Sequence, residues 1–356
     1  MTAENAFPDD LLQELLHAYG PCGQEDAVRE VCRRELAPHT DELWTDEAGN
    51  LVGLIRGDDG DAPPTRVLAH MDELSMLVKR VEPDGTLHMT PLGTMYPGNF
   101  GLGPVAILGD QRTVCGVLTL GSEHTTKETR QIWETKPDQG DMALDWLHVY
   151  VFTGHTPEEL ADAGVGPGTR ACVHRSKRTL VDVGADYLGC YFMDDRAALV
   201  ALLETARVLS EGARPARDTY VVCTTSEEVG GVGGSYASRM LPGDLTLALE
   251  VGPAEQEYGT SCSGGPIVAY SDAESVYDKA VADRLIGVGT ELGLSPQRAV
   301  LGAFESDASH AKASGLTPRA GLLCLPTLST HGYEVIARHA IPDMTRVLVE
   351  FLRRAA

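Results

Sequence analysis

The two ends of this chain and its middle follow different patterns, and that contrast constrains the fold more than any other feature. Up to about residue 73 and again from about 182, helix-like and strand-like stretches alternate. Amphipathic helices are expected near Pro8–Ala18 and Glu25–Leu36, a hairpin at Glu42–Ile55 turning at 47–50, and a short apolar strand at Arg66–Ala69. Later helices are expected at Arg196–Leu209, Glu274–Leu292, Asp307–Ser314 and Ile341–Arg354, and later strands at Asp218–Thr225, Leu245–Leu249, Ala299–Ala303 and Pro318–Leu325. Strands separated by helices predict a three-layer α/β/α domain. Between Leu74 and Leu180 the helical period disappears. Short β-like runs (Gly98–Leu108, Val114–Leu120, His148–Thr153) alternate with Gly/Pro turns, with one helix-like turn at Pro157–Ala163. The expectation is therefore a discontinuous α/β domain, residues 1–74 and 181–356, with a small all-β domain, 75–180, inserted into it.

Charge narrows the function. Lys and Arg number 29 against 52 Asp and Glu, a net charge of −23. Phosphate backbones and anionic membrane surfaces need clustered cations, so neither nucleic acid nor membrane is an expected partner. No run of about 18 apolar residues predicts a membrane span. Met1–Asp10 is polar and acidic and does not read as a secretory signal. Eight scattered cysteines without a C-x-x-C pair suit reduced, mostly buried thiols and a cytoplasmic setting, and make a thiolate zinc site improbable.

Chemistry is suggested by where isolated His and acidic residues fall. His70 follows the apolar run Val67-Leu68-Ala69; Glu227 and Glu228 follow Tyr220–Thr225; Glu250 follows Leu245–Leu249; His331 comes after Leu322–Leu325; Asp194 opens a helix. Ligands of open α/β sheets bind outside the carboxyl ends of the strands. Imidazole and carboxylate donors without cysteine match Zn²⁺, Co²⁺ or Mn²⁺. Taken singly, each residue has a structural reading: a satisfied core histidine for His70, a helix cap for Asp194-Asp195, a solvated strand end for Glu250, a loop histidine for His331. Their joint occurrence on one framework is what points to a metal site.

Competing motifs fall away. The glycine run 230–234 is not followed by G-K-[S/T], so it is no nucleotide-binding loop, and no G-x-S-x-G elbow exists. Ser263-Gly264-Gly265 lacks the Gly-Asp that precedes a protease serine. Adjacent carboxylates at 227 and 228 cannot flank a sugar bond from opposite faces.

Ala69-His70-Met71-Asp72-Glu73, Met193-Asp194-Asp195-Arg196, Ser226-Glu227-Glu228-Val229-Gly230 and the late His331 resemble the di-metal tetrahedral aminopeptidases, the peptidases related to glutamyl and deblocking aminopeptidases. Gly264-Gly265-Pro266-Ile267, Gly293–Gln297 and Ser306-Asp307-Ala308 extend the likeness over nearly the whole chain. The resemblance implies two divalent ions per subunit, zinc first, with cobalt or manganese as alternatives. It implies that His70 and Glu250 bind one ion, Glu228 and His331 the other, and Asp194 both. Asp72 would orient the His70 imidazole, and Glu227 would be the general base. A cis bond between Asp194 and Asp195 is also implied. The substrate would be a peptide with a free amino end. The β domain would carry subunit contacts in a homo-oligomer built from dimers, by resemblance a dodecamer. Two features depart from the family pattern: Glu250 stands where the family has Asp, and Leu328-Ser329 stand where it has Arg-Tyr before the histidine. They keep open a related di-metal deacylase or dipeptidase acting on N-acyl amino acids or unusual small peptides, and, further off, an inactive structural or binding shell.

Overall fold

The computed structural model describes residues 9–138 and 140–354. Most of the Met1–Asp10 stretch read above for a secretory signal lies outside the described residues. The chain divides into two compact units: the described residues up to Glu73 with Leu180–Thr330 and those from Glu334 onward, and Leu74–Thr179 with His331–Tyr333.

The first unit is built on a mixed sheet. Its heart is four parallel strands in the spatial order Thr219–Thr224, Thr65–His70, Leu245–Pro253, Arg319–Thr327. These strands are rich in Val, Leu, Ala and Thr and are buried on both faces, as parallel strands must be when helices cover both sides. The hairpin strands Glu42–Thr45 and Leu51–Ile55 extend one side antiparallel. On one face Leu68 and Val222 meet Ala237 of the helix Val232–Met240, and Ala248 and Leu322 meet Ala308 of the helix Asp307–Ala313. The long helix Met193–Glu211 packs on the central strands, and the carboxyl-terminal helix Ala340–Arg353 packs against it.

Several boundaries depart from the sequence expectation, for local reasons. The helix expected from Glu274 begins at Lys279, because Asp278 caps it by accepting from the Val281 N–H while Asp272 accepts from the amides of Glu274 and Ser275 and holds them in a turn. The strand expected at Ala299–Ala303 lies at Gln297–Val300. Strands at Val181–Val183, Tyr187–Tyr191, Ile267–Ser271 and Tyr333–Ala337 had no separate expectation. Each is only three to five residues long, too short for its alternation to stand out.

The second unit is a closed six-stranded barrel: Ser75–Val81, Leu87–Leu92, Tyr150–Phe152, Thr113–Thr119, Gly103–Leu108, Arg170–Val173. Closure removes the exposed edges that short antiparallel strands would otherwise present. Only the second half of the β-like run Gly98–Leu108 is strand; Pro97–Phe100 forms a helical turn, with Pro97 at its first position, where a missing N–H costs nothing.

Candidate metal centre

Register places the chemistry. Thr224 pairs with His70 at the carboxyl ends of neighbouring parallel strands, and the Met71 N–H donates to the Thr224 carbonyl at 2.8 Å. His70 therefore leaves its strand beside the loop that carries Glu227 and Glu228. Glu250 lies on the next strand, and Asp194 and Asp195 open the long helix with non-helical backbone and a cis peptide between them. One ligand atom from each of His70, Asp194, Asp195 and Glu250 falls within a 4.8 Å cluster, and all four side chains are buried. His70 Nε2 is 3.0 Å from Asp194 Oδ1 and 3.9 Å from Glu250 Oε2.

Asp72 is fully buried. The His70 Nδ1 contacts the Asp72 carbonyl oxygen at 3.1 Å, with the carboxylate at 3.5 Å. The Asp72 carboxylate itself accepts the N–H groups of Glu227 (2.9 Å) and Glu228 (3.1 Å) and the Cys22 thiol (3.1 Å). One carboxylate thus fixes two successive backbone amides of the loop. Burial pushes its pKa up, but His70 and these donors outweigh that and hold it below the ordinary range. His331 belongs with the second unit, where its Nδ1 lies 2.6 Å from the Thr94 carbonyl oxygen; its φ is 57°. Leu328 is largely exposed.

The electrostatics state a problem that a cation solves. Loss of water drives the carboxyls of Asp195, Glu227, Glu228 and Glu250 well above their ordinary pKa, and neighbouring carboxylates add to the shift. Burial works against a charged His70, yet Glu250, Asp194 and Asp72 outweigh it. Asp195 Oδ1 is buried and has no hydrogen-bond partner among the described residues. Crowded buried anions with one imidazole among them need protons or metal ions. The oxygen and nitrogen donors suit a borderline divalent ion.

Three groups near this centre carried little weight in the sequence. Asp195 looked like the second half of a helix cap. Asp307 appeared as the start of an expected helix and as part of a family-like stretch, yet it is buried, and burial raises its pKa to about 6. Arg196 and Glu73 form an ion pair at 2.8 Å with both side chains inaccessible, and Arg196 also donates to the carbonyls of Leu15 and Met71. A single long-range partner in sequence gives no signal for such a pair.

The sequence model of the M42 glutamyl aminopeptidase family matches residues 49–347. A lysyl aminopeptidase of Pyrococcus furiosus is 26% identical over 249 residues, 69% of this chain and 67% of the relative. An aminopeptidase structure from Desulfurococcus kamchatkensis superposes with a TM-score of 0.86 at 23% identity, covering 98% of this chain and 94% of that one. The TET1 peptidase of Pyrococcus horikoshii, described as assembling into a tetrahedron or a large octahedral shell, superposes at 0.83 with 19% identity over 97% and 99% of the two chains.

Proposed function

The chain belongs to the M42 glutamyl aminopeptidase family, and from that premise we propose that it is a metal-dependent aminopeptidase that releases single residues from the free amino ends of peptides. The carrying observation is the buried cluster of His70, Asp194, Asp195 and Glu250 beside the loop of Glu227 and Glu228. Two divalent ions are the proposed complement: His70 and Glu250 would hold one, Glu228 and His331 the other, with Asp194 available to both. Zinc is the first choice, with cobalt and manganese accepted by the same donors. Bound there, such ions would supply Lewis acidity and bring the pKa of a coordinated water towards neutrality.

The remaining chemistry falls to the chain. Glu227 is the general base: its carboxylate takes a proton from the attacking water and returns it to the departing amine. Its backbone is fixed for that task by Asp72, whose two oxygens accept the N–H groups of Glu227 and Glu228. Surplus carboxylate charge suits a substrate ammonium group. Among the described residues no helix is long and apolar enough to cross a membrane. Self-association through the barrel unit into a dimer-based homo-oligomer, up to a dodecamer, and a cytoplasmic location complete the proposal.

The test is a mass-spectrometric assay of free-amine and N-acetylated peptides with and without chelator. Chelator-sensitive loss of single residues from free amino ends supports the reading. Release of acyl groups with free-amine peptides left intact would replace it by a deacylase.

A further inference from the structure

The chemistry above leaves two sequence features without a role: the glycine run 230–234 and the hairpin turn at Asp46–Asn50. They meet at the neck of the loop that carries Glu227 and Glu228. The chain leaves the strand Thr219–Thr224, passes through that loop and enters the helix Val232–Met240. The neck closes on itself, since the Gly233 N–H donates to the Thr225 carbonyl at 2.9 Å and the Val232 N–H to the Ser226 carbonyl at 3.2 Å.

Asn50, fully buried, spans this neck with its side-chain amide. Its Nδ2 donates to the Gly233 carbonyl at 3.0 Å, and its Oδ1 accepts from the Thr225 N–H at 3.0 Å, while the Thr225 hydroxyl donates to the Ala48 carbonyl at 3.0 Å. The second Nδ2 hydrogen goes to Asp46 Oδ2 at 2.9 Å, while Asp46 Oδ1 accepts from the amides of Ala48 and Asn50. Both amide hydrogens and one lone pair of the amide oxygen are thus engaged. Gly233 permits the approach: a Cβ there would lie 2.4 Å from the Thr225 carbonyl oxygen and 2.5 Å from Asn50 Oδ1. Asp307 supplies a second bridge one residue outward, accepting from the Thr224 hydroxyl at 2.5 Å and the Gly234 N–H at 3.3 Å. With its neck fixed, the loop holds Ser226 at φ 53°, outside the usual range for a residue with a Cβ, and this sets where Glu227 emerges.

We propose that Asn50 is a positioning residue for the reaction: its amide locks the neck of the Glu227–Glu228 loop and so fixes the direction of the Glu227 carboxylate. The inference rests on the assignment of Glu227 as base. Asn50 touches none of His70, Asp194, Asp195 and Glu250, so its removal acts through the loop that carries Glu227 and Glu228.

The experiment compares wild type, Asn50→Ala and Asn50→Asp, each loaded with Zn²⁺, by peptide kinetics, metal content and amide hydrogen exchange of residues 226–231. Displacement of a reacting group by about 1 Å costs up to about 100-fold. At saturating Zn²⁺, with both sites filled, Asn50→Ala should lose about 10- to 100-fold in kcat, with KM within about threefold, and its loop amides should exchange at least about tenfold faster. Asn50→Asp keeps the acceptor for Thr225 but sets a carboxylate oxygen against the Gly233 carbonyl and the Asp46 carboxylate, and should lose at least as much as Asn50→Ala. Unchanged loop exchange, or kcat within about twofold per metal-loaded chain, overturns the proposal. Should Asn50→Ala fail to fold, Thr224→Val, which removes the hydroxyl of the outer bridge, is expected to raise exchange in the same six residues, and no change there overturns the account of the neck. A wild-type protein inactive on peptides would refute the functional reading alone, and the exchange comparison would still decide whether Asn50 locks the loop.

Discussion

Arg196 and Glu73 tie together the two segments that bring Asp194, Asp195 and His70 to the centre, and their pairing can be weighed. Glu73 Oε2 lies 2.8 Å from Arg196 Nη2 with both side chains at 0% exposure, and Arg196 is further bound to the Leu15 and Met71 carbonyls. Arg196→Met leaves a carboxylate in the interior without its cation and two carbonyls without a donor. Removing one partner of a buried pair typically costs about 3–5 kcal/mol. For a unit of this size each kcal/mol moves Tm by about 2–4 °C, so a drop of about 6–20 °C is expected. The assay is thermal and denaturant unfolding in chelator, so that metal binding does not add to the stability of one variant and not another. Arg196→Met/Glu73→Leu removes both charges and should recover at least about half of the loss, because no unpaired charge remains buried. A loss below about 1 kcal/mol in Arg196→Met, or a double variant equal to the sum of the two singles, would refute the pairing as the source of the effect.

Glu227→Gln should keep its metal and lose about 10²-fold to 10⁴-fold or more in kcat; retained activity would remove Glu227 as base. Gly234→Ala should destabilise by about 1–3 kcal/mol, since its Cβ would sit 2.4 Å from Asp307 Cγ, and an unchanged melting curve would contradict that packing. The metal-free protein should gain stability as pH falls from about 8 to about 6. Asp195, Glu228 and Glu250 hold protons in the folded state at pH values where the unfolded chain has released them, so the folded state binds more protons and its stability declines as pH rises. Metal affinity should run the other way and weaken on acidification, because ions and protons compete for the same oxygens; competition titrations at the two pH values check the sign.

The sequence was most informative where one residue answers to one local rule. Apolar runs ending in His70 and shortly before Glu227-Glu228 mark the carboxyl ends of buried parallel strands, whereas the strand expected to stop at Leu249 runs on through Glu250 to Pro253, and the glycine-rich start of the helix Val232–Met240 hid it from periodicity. The same rule fails where function depends on distant partners. Asp72 earns two amide donors 155 and 156 residues away, and Asn50 sits in a turn whose contact to Gly233 spans 183 residues. Turn chemistry explains Asn50 in sequence; only the folded neck shows its amide bridging Thr225 and Gly233. Asp307 was hidden similarly, since an acidic residue after serine reads as an ordinary helix start. The strands at Ile267–Ser271 and Tyr333–Ala337 pair antiparallel with Arg319–Thr327, a tertiary choice that local pattern does not encode.

The most direct test of the central claim is a reconstitution. The protein is stripped with chelator, titrated with Zn²⁺, and followed by metal analysis and release of the amino-terminal residue from one peptide in the same samples. The account predicts about two ions per chain, with activity returning as they bind. Failure to retain any ion, or peptide cleavage indifferent to metal, would contradict it.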